Sequence, residues 1–399
     1  MALEDPIYLD HHATTPVDPR VVESMLPYWS EAFGNASSST HRYGWTAEAA
    51  VEDARERIAA AIGAQDPAEI LFTSGTTESD NLALKGIARA RRGPRDHLIT
   101  TAIEHPAVLD SCDALEAEGF TVTRLPVDAD GLVAAGEVAA AITERTLLVS
   151  VMAANSEVGV LQPLREIADL CAEQQVLFHT DAAQAVGKIP VDVDALGVDL
   201  LSMCAHKLYG PKGIGALYIK RRRPRIRLEP LIHGGGHEGG LRSGTLPVPL
   251  IVGFARALEL CLEDLEEESQ RLGALRDRLW QKISHAIPDV HLNGHPTRRL
   301  PGNLNVCFGG IDADAVMLAL KGVALSSGSA CSSASGQPSH VLKALGLSDA
   351  QARGALRFGL GRSNTEDQID LVAERICQEV RALRAHREPA TSPRRVRSS

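Results

Sequence analysis

The sequence predicts an α/β protein: a mainly parallel sheet covered by helices, followed by a smaller α+β part. Short apolar runs, "EILFT", "HLITTAI", "TVTRLPV", "LLVSVMAA", "VLFHTD" and "LLSMCAH", recur along residues 69–206 and read as buried strands. Between most of them lie amphipathic stretches with the helical period, such as "ESDNLALKGIARARR" and "PLREIADLCAEQQ". Strand and helix in alternation imply parallel strands joined by crossover helices, with ligands bound beyond the strands' carboxyl ends. After about Gly244 this alternation stops.

Taken in order, "IYLD" near the N-terminus is a strand expected to join the smaller part. "GWTAEAAVEDARERIAAAIGA", from Gly44 to about Ala64, has helical periodicity. The alternating region then runs to Gly244, and a long amphipathic stretch spans Pro249 to about Ile283. Strand-like "NLNVCF", helical "ADAVMLALKG", strand-like "GALRFGL" and a helix from Thr365 to about Ala385 complete the second set. The expected division is a large domain at 14–260 and a small domain made of 1–13 and 261–386. The last segment, 387–399, is Pro, Arg and Ser with few apolar groups and is expected to be disordered.

The chain has 399 residues, 44% of them hydrophobic, as an ordinary two-core globular protein has. Its 41 Lys and Arg against 51 Asp and Glu give a net charge of -10, which argues against a nucleic-acid binder. Basic clusters at Lys220–Arg227 and Arg381–Arg397 read as solvated faces. The N-terminus has no signal-peptide pattern, and no apolar run approaches the roughly 18 residues that cross a bilayer. The expected location is therefore the cytoplasm. Seven cysteines are scattered without a CxxC pair, which suggests neither a zinc site nor a disulfide framework.

The chemistry gathers at predicted strand ends. "EILFT" is followed by "SGTTESDN", where free N–H groups at a helix start and the hydroxyls of Thr76 and Thr77 would hold a phosphate. The same letters also make an ordinary N-cap. "VLFHTD" ends on Asp181, and "LLSMCAH" leads directly to Lys207. Alone, Asp181 would be a capping carboxylate and Lys207 a surface charge. Together, a phosphate turn, a carboxylate and an amine match pyridoxal 5'-phosphate: its aldehyde needs a lysine, its ring nitrogen an acid, its phosphate a nest of donors. "GPKGIG" lacks the order of a nucleotide-binding P-loop. "HGGGHE" sets His233, His237 and Glu238 at spacings that suit a metal only on a helix, which three glycines oppose.

Cys331 lies in "ALSSGSACSSASGQPSH", whose Ser, Gly and Ala content implies a mobile loop. An arm of about six to eight residues reaches roughly 15 Å, enough to carry a thiol between a buried cofactor and a partner.

"YLDHHATTPVDPR", "FGNASSSTHRYGW", "FTSGTTESDN", "IEHPAVLD", "HTDAAQAVGKIPVD", "AHKLYGPKGIGALY", "HGGGHEGGLRSGTLP" and "SSGSACSSAS" resemble, in order, motifs of cysteine desulfurases. The resemblance is to the group serving nitrogen fixation and iron–sulfur cluster assembly, within the class-V aminotransferase superfamily, and spans residues 7 to about 385. It implies the aspartate-aminotransferase fold, a homodimer, and conversion of L-cysteine to L-alanine with the sulfur left as a persulfide on Cys331. It implies that Lys207 forms the Schiff base and abstracts the Cα proton, that Asp181 holds the pyridinium, and that His105 stacks on the ring and shuttles protons. Thr76, Thr77, Cys204 and His206 would hold the phosphate, joined by Thr245 of the second subunit. Gln184 would bond the ring oxygen, and Arg357 with Asn155 the substrate carboxylate.

The chain departs from the family at Ser156, where a second Asn is usual near the cofactor's phenolic oxygen. Cys204 replaces a serine, Gly359 stands where serine is common, and the tail differs from the family's scaffold-docking signal. A sulfur-acceptor protein is the implied partner, with no nucleic acid, membrane or metal. Two alternatives are kept: a selenocysteine lyase on the same scaffold, and a sulfur carrier using a metal at His233 and His237 or a thiol alone.

Overall fold

A seven-stranded sheet fills the centre of the computed structural model, which describes residues 6–91, 93–327 and 337–387. In chain order the strands are β1 (Ile7–Tyr8), β2 (Ile70–Thr73), β3 (His97–Thr101), β4 (Thr121–Leu125), β5 (Thr146–Ser150) and β6 (Leu177–Asp181). There follow β7 (Leu200–Cys204), β8 (Gly215–Ile219), β9 (Val290–Leu292), β10 (Asn303–Phe308), β11 (Val323–Ala324) and β12 (Ala355–Gly359). The central order is β2-β8-β7-β6-β5-β3-β4. Strands β4, β3, β5, β6 and β7 are parallel; β8 runs antiparallel between β7 and β2, so β2 points the same way as the five. The loops leaving β2, β3, β5, β6 and β7 therefore emerge at one edge.

Alternation along each strand divides its side chains between two helix layers. On one face Leu71, Leu98, Leu148, Leu177, Leu200 and Leu217 meet Leu84 and Ile87 of the helix Thr76–Ala90, and Val108 and Leu115 of Pro106–Ala117. On the other, Phe72, Val149, Phe178, Leu201 and Met203 pack with the helices Arg42–Ala61, Leu164–Glu173 and Val248–Glu263. Burial of each large side chain contributes about 1.5–3 kcal/mol.

All six apolar runs form strands, with two differences from the sequence expectation. β4 is exposed at Thr121 and only half-buried through Arg124, because it is the sheet's edge and lacks a neighbour on one side. β8 was not anticipated: its five residues continue directly from a Gly-rich bend that reads as loop. The stretch Pro249–Ile283 is two helices rather than one, Val248–Glu263 and Leu265–Ala286, broken where Asp264 leaves helical geometry (φ -117°, ψ 15°).

The later elements have their own apolar cluster. β9, β10 and β12 form an antiparallel sheet packed on Leu265–Ala286 and Glu366–Arg387, with Leu279, Val306, Phe308, Phe358, Ile369 and Val372 at its centre. The expected N-terminal strand is β1; it pairs in parallel with β11, and Ile7 and Leu9 enter this cluster. Residues 328–336, with Cys331, and the tail 388–399 lie outside the described residues.

Gly215 shows how closely the sheet edge is fitted to the site. A Cβ there would sit 2.6 Å from the Met203 carbonyl and 2.7 Å from Cα of Gly75, the turn that opens Thr76–Ala90. Gly215→Ala should cost about 1–3 kcal/mol in denaturant unfolding by overpacking. Gly136→Ala, where nothing lies within 4 Å of the added carbon, should leave the midpoint close to wild type.

Candidate active site

A cavity of about 580 Å³ opens at the carboxyl edge of the central sheet. Every expected site residue except Cys331 and Thr245 lines it: Thr76 and Thr77 after β2, His105 after β3, Asn155 and Ser156 after β5, Asp181 and Gln184 at the end of β6, Cys204, His206 and Lys207 at β7, and Arg357 on β12. Strands β2, β3, β5, β6 and β7 deliver their loops there because they point the same way; Arg357 arrives from the three-stranded sheet of β9, β10 and β12. Thr245 is exposed and away from this cavity.

Lys207 sits on a 3-10 turn, Ala205–Lys207. Its Nζ donates to the carbonyls of His12 (2.5 Å) and Ala13 (2.7 Å), and it makes no ion pair among the described residues. Burial lowers its pKa, with nearby Arg357 acting in the same direction. The turn is secured beyond the lysine by Tyr209, held at φ 63°, an unusual value for a bulky residue. Its N–H donates to Thr15 Oγ1 (2.8 Å), its hydroxyl accepts from the Arg362 N–H (2.8 Å), and the Arg362 guanidinium lies 4.3 Å over its ring.

The helix Thr76–Ala90 starts at Gly75 with no side-chain cap among the described residues, which leaves its first N–H groups for a ligand. The Thr76 hydroxyl is buried and has no partner there but the Cys204 thiol. Burial raises the Cys204 pKa, opposed by the Thr76 hydroxyl and Lys207. His206 is pushed down to about 4 by burial and then by Lys207.

Asp181 is buried and accepts from the Ala183 N–H (2.9 Å). Burial raises its pKa, while His105 and Lys207 pull it down. His105 caps Pro106–Ala117, its Nδ1 accepting from the Ala107 N–H (3.1 Å), and burial lowers its pKa. Gln184 is clamped: its Oε1 accepts from Lys188 Nζ (2.6 Å) and from His12 Nδ1 (3.0 Å), and its Nε2 donates to the His12 carbonyl (2.9 Å). One amide N–H remains. Arg357 spans Asp10 Oδ1 (2.8 Å) and the Ser156 carbonyl (3.1 Å), and its buried Nε has no partner among the described residues. Asn155 is consumed structurally, donating to the Ile103 carbonyl (3.0 Å) and accepting from the Glu157 N–H (2.8 Å).

Sequence reasoning assigned nothing to His12, Glu104, Glu157 or His340, which also line the cavity. His12 stood in a quoted motif, and Glu104 directly precedes His105; neither carried a periodic or spacing signal. Glu104 Oε1 accepts from Thr101 Oγ1 (2.7 Å) and the Met152 N–H (2.9 Å), while Oε2 is buried without a partner among the described residues. Burial pushes it up to about 8. Glu238 of "HGGGHE" is taken up by Arg55 (2.8 Å) and the Phe72 N–H (2.8 Å). No cluster of three or more metal-ligating side chains occurs among the described residues.

The chain belongs to the aminotransferase class-V family, whose model matches residues 7–372. It is 53% identical over 379 residues to a cysteine desulfurase of Mus musculus, covering 95% of this chain and 82% of that one. A solved NifS-like protein superposes with a TM-score of 0.88 at 38% identity, over 94% of this chain and all of that one. A structure described as SspA in complex with cysteine gives 0.80 at 42% identity, over 89% and 98%.

Because Glu104 titrates higher folded than its ordinary 4.5, the native state keeps a proton that the unfolded chain releases. Its contribution is present below that value and lost as pH rises towards about 8. Glu104→Gln, which stays neutral, should gain stability relative to wild type across this window. Urea midpoints at its two ends measure the difference.

Proposed function

We infer that this chain is a cysteine desulfurase that works with pyridoxal 5'-phosphate. The observation that carries the reading is the Lys207 amine, desolvated and bound among the described residues by carbonyl groups alone, in the same cavity as a buried acid and an uncapped helix start. The family membership and the cysteine desulfurase relatives agree with it.

The residues present suit the cofactor. The Thr76 hydroxyl and the free N–H groups after Gly75 would take its phosphate, the spare Gln184 N–H its ring oxygen, and Asp181 its ring nitrogen. Lys207 would hold it covalently. The bound group supplies an electron sink for a carbanion at the substrate's Cα. A lysine with a lowered pKa exists more readily as the free amine that can move that Cα proton. Arg357, with an unused Nε–H, would set the orientation of the amino acid by its carboxylate. Cys331 would receive the sulfur as a persulfide and pass it to an acceptor protein.

The proposal extends to a homodimer in the cytoplasm, with Thr245 completing the phosphate site of the second copy. Leu26, Trp29, Phe33, Tyr43 and Trp45 are all more than half exposed along the first helices, an apolar surface that a second copy would cover. It also retains the division into 14–260 and 1–13 with 261–386, supported by the separate apolar clusters and the break at Asp264. Among the described residues no helix is long and apolar enough to cross a membrane.

Lys207→Ala should abolish covalent cofactor attachment and reduce alanine formation from cysteine by roughly 10²–10⁴-fold or more. A variant that keeps wild-type turnover would overturn the reading. Cys331→Ala should lose persulfide, detected by mass spectrometry after cysteine treatment; full turnover on selenocysteine alone would move the assignment to a selenocysteine lyase. Arg357→Gln loses charge-assisted hydrogen bonds worth about 1.5–3 kcal/mol each. Its KM for cysteine should rise on the order of 10–100-fold.

A further inference from the structure

Two imidazoles face each other's charge in the cavity, and their backbone partners decide which nitrogen of each holds the proton. The Ala107 N–H can only donate, so His105 Nδ1 carries a lone pair and its hydrogen is on Nε2. A neutral His105 therefore offers the cavity a donor, not a base. His340 heads the helix His340–Ala344, and its Nε2 lies 3.0 Å from the Glu104 carbonyl, which can only accept. His340 Nε2 thus carries the hydrogen, and Nδ1, with no partner among the described residues, is the basic atom.

The other imidazoles do not supply an open base. His12 has its Nδ1 on the Gln184 carbonyl oxygen, and its Nε2 is sealed from solvent. His206 leans on the Thr14 hydroxyl (3.2 Å) beside Lys207. Lys207 is assigned to the Cα proton. A substrate thiol has a second proton to lose before its sulfur can be transferred.

We propose that His340 Nδ1 takes this thiol proton, so that His105 and His340 divide donor and acceptor roles in the cavity. The inference rests on the desulfurase reading. In the step an S–H bond breaks, its electron pair stays on sulfur, and an N–H bond forms on the imidazole; no oxidant or reductant is involved. The proton can return to carbon when the C–S bond breaks, which leaves the ring neutral again.

A buried carboxyl group adjoins His340. Glu157 lies next to it, its Oε2 accepting from Ser339 Oγ (2.5 Å). Burial raises the Glu157 pKa, and His340 and Arg357 pull it down. Glu104, His105, Asp181, Lys207 and Arg357 are among the other charged or titratable groups that line the cavity.

A selenol is ionised at neutral pH and has no proton to give, so selenocysteine separates a base from a structural support. In the holoenzyme, His340→Gln keeps a donor for the Glu104 carbonyl but has no basic atom. Its kcat on L-cysteine should fall on the order of 10²-fold, raising the selenocysteine-to-cysteine ratio by a similar factor; His340→Phe should show the same shift. Equal losses on both substrates, or no loss on cysteine, would overturn the proposal alone. A wild type that forms no alanine from cysteine would sink the desulfurase reading, and this inference with it. Independently of turnover, ¹⁵N-imidazole spectra of the full chain should place the His340 hydrogen on Nε2; a hydrogen on Nδ1 would rule the base out.

Discussion

A primary amine held among carbonyls, with no ion-pair partner among the described residues, is the constraint around which this molecule is arranged. Desolvating an ammonium is costly, and the two carbonyls of His12 and Ala13 compensate only in part. The balance lowers the Lys207 pKa from its ordinary value, against the opposing pull of Asp181 and Asp10. Holding that geometry requires the turn at Tyr209, the Thr15 hydroxyl beneath it and the Arg362 guanidinium over its ring. The reactive group is thus supported by residues more than a hundred positions away in the chain.

The N-terminal segment is the other half of that support. Within nine residues it pairs with β11 through Ile7, ties Asp10 to Arg357, presents two carbonyls to Lys207 and bonds the His206 carbonyl through Thr15. It connects the two sheets directly at the cavity. Arg357 depends on it too: Asp10 and the Ser156 carbonyl occupy part of its fork, and Nε is left without a partner among the described residues. A buried guanidinium without such partners would be strongly unfavourable.

Much of this was legible along the chain. The strands carried their own signal because side chains buried on both faces must be apolar, and Thr76, Asp181 and Lys207 stood out because polar groups at strand ends need partners. Helix boundaries were readable to within a few residues at Arg42–Ala61 and Glu366–Arg387. β8 and the break at Asp264 were not, since the β8 run merges with the glycine-rich bend before it and a single non-helical residue leaves an amphipathic pattern intact. Glu104 and His340 were hidden for a different reason: neither has a local pattern, and each becomes chemical only through a carbonyl or cavity supplied by another segment.

Sequence alone determined the α/β class, the order of the elements and the residue types placed at the strand ends, because hydrophobic periodicity and turn chemistry act over a few residues. Tertiary structure decided which of those side chains share a cavity, which nitrogen of His105 and His340 bears hydrogen, and why Lys207 has no ion-pair partner among the described residues. Those properties depend on donors, acceptors and desolvation contributed by strands and loops distant in the chain, and no local pattern encodes their meeting.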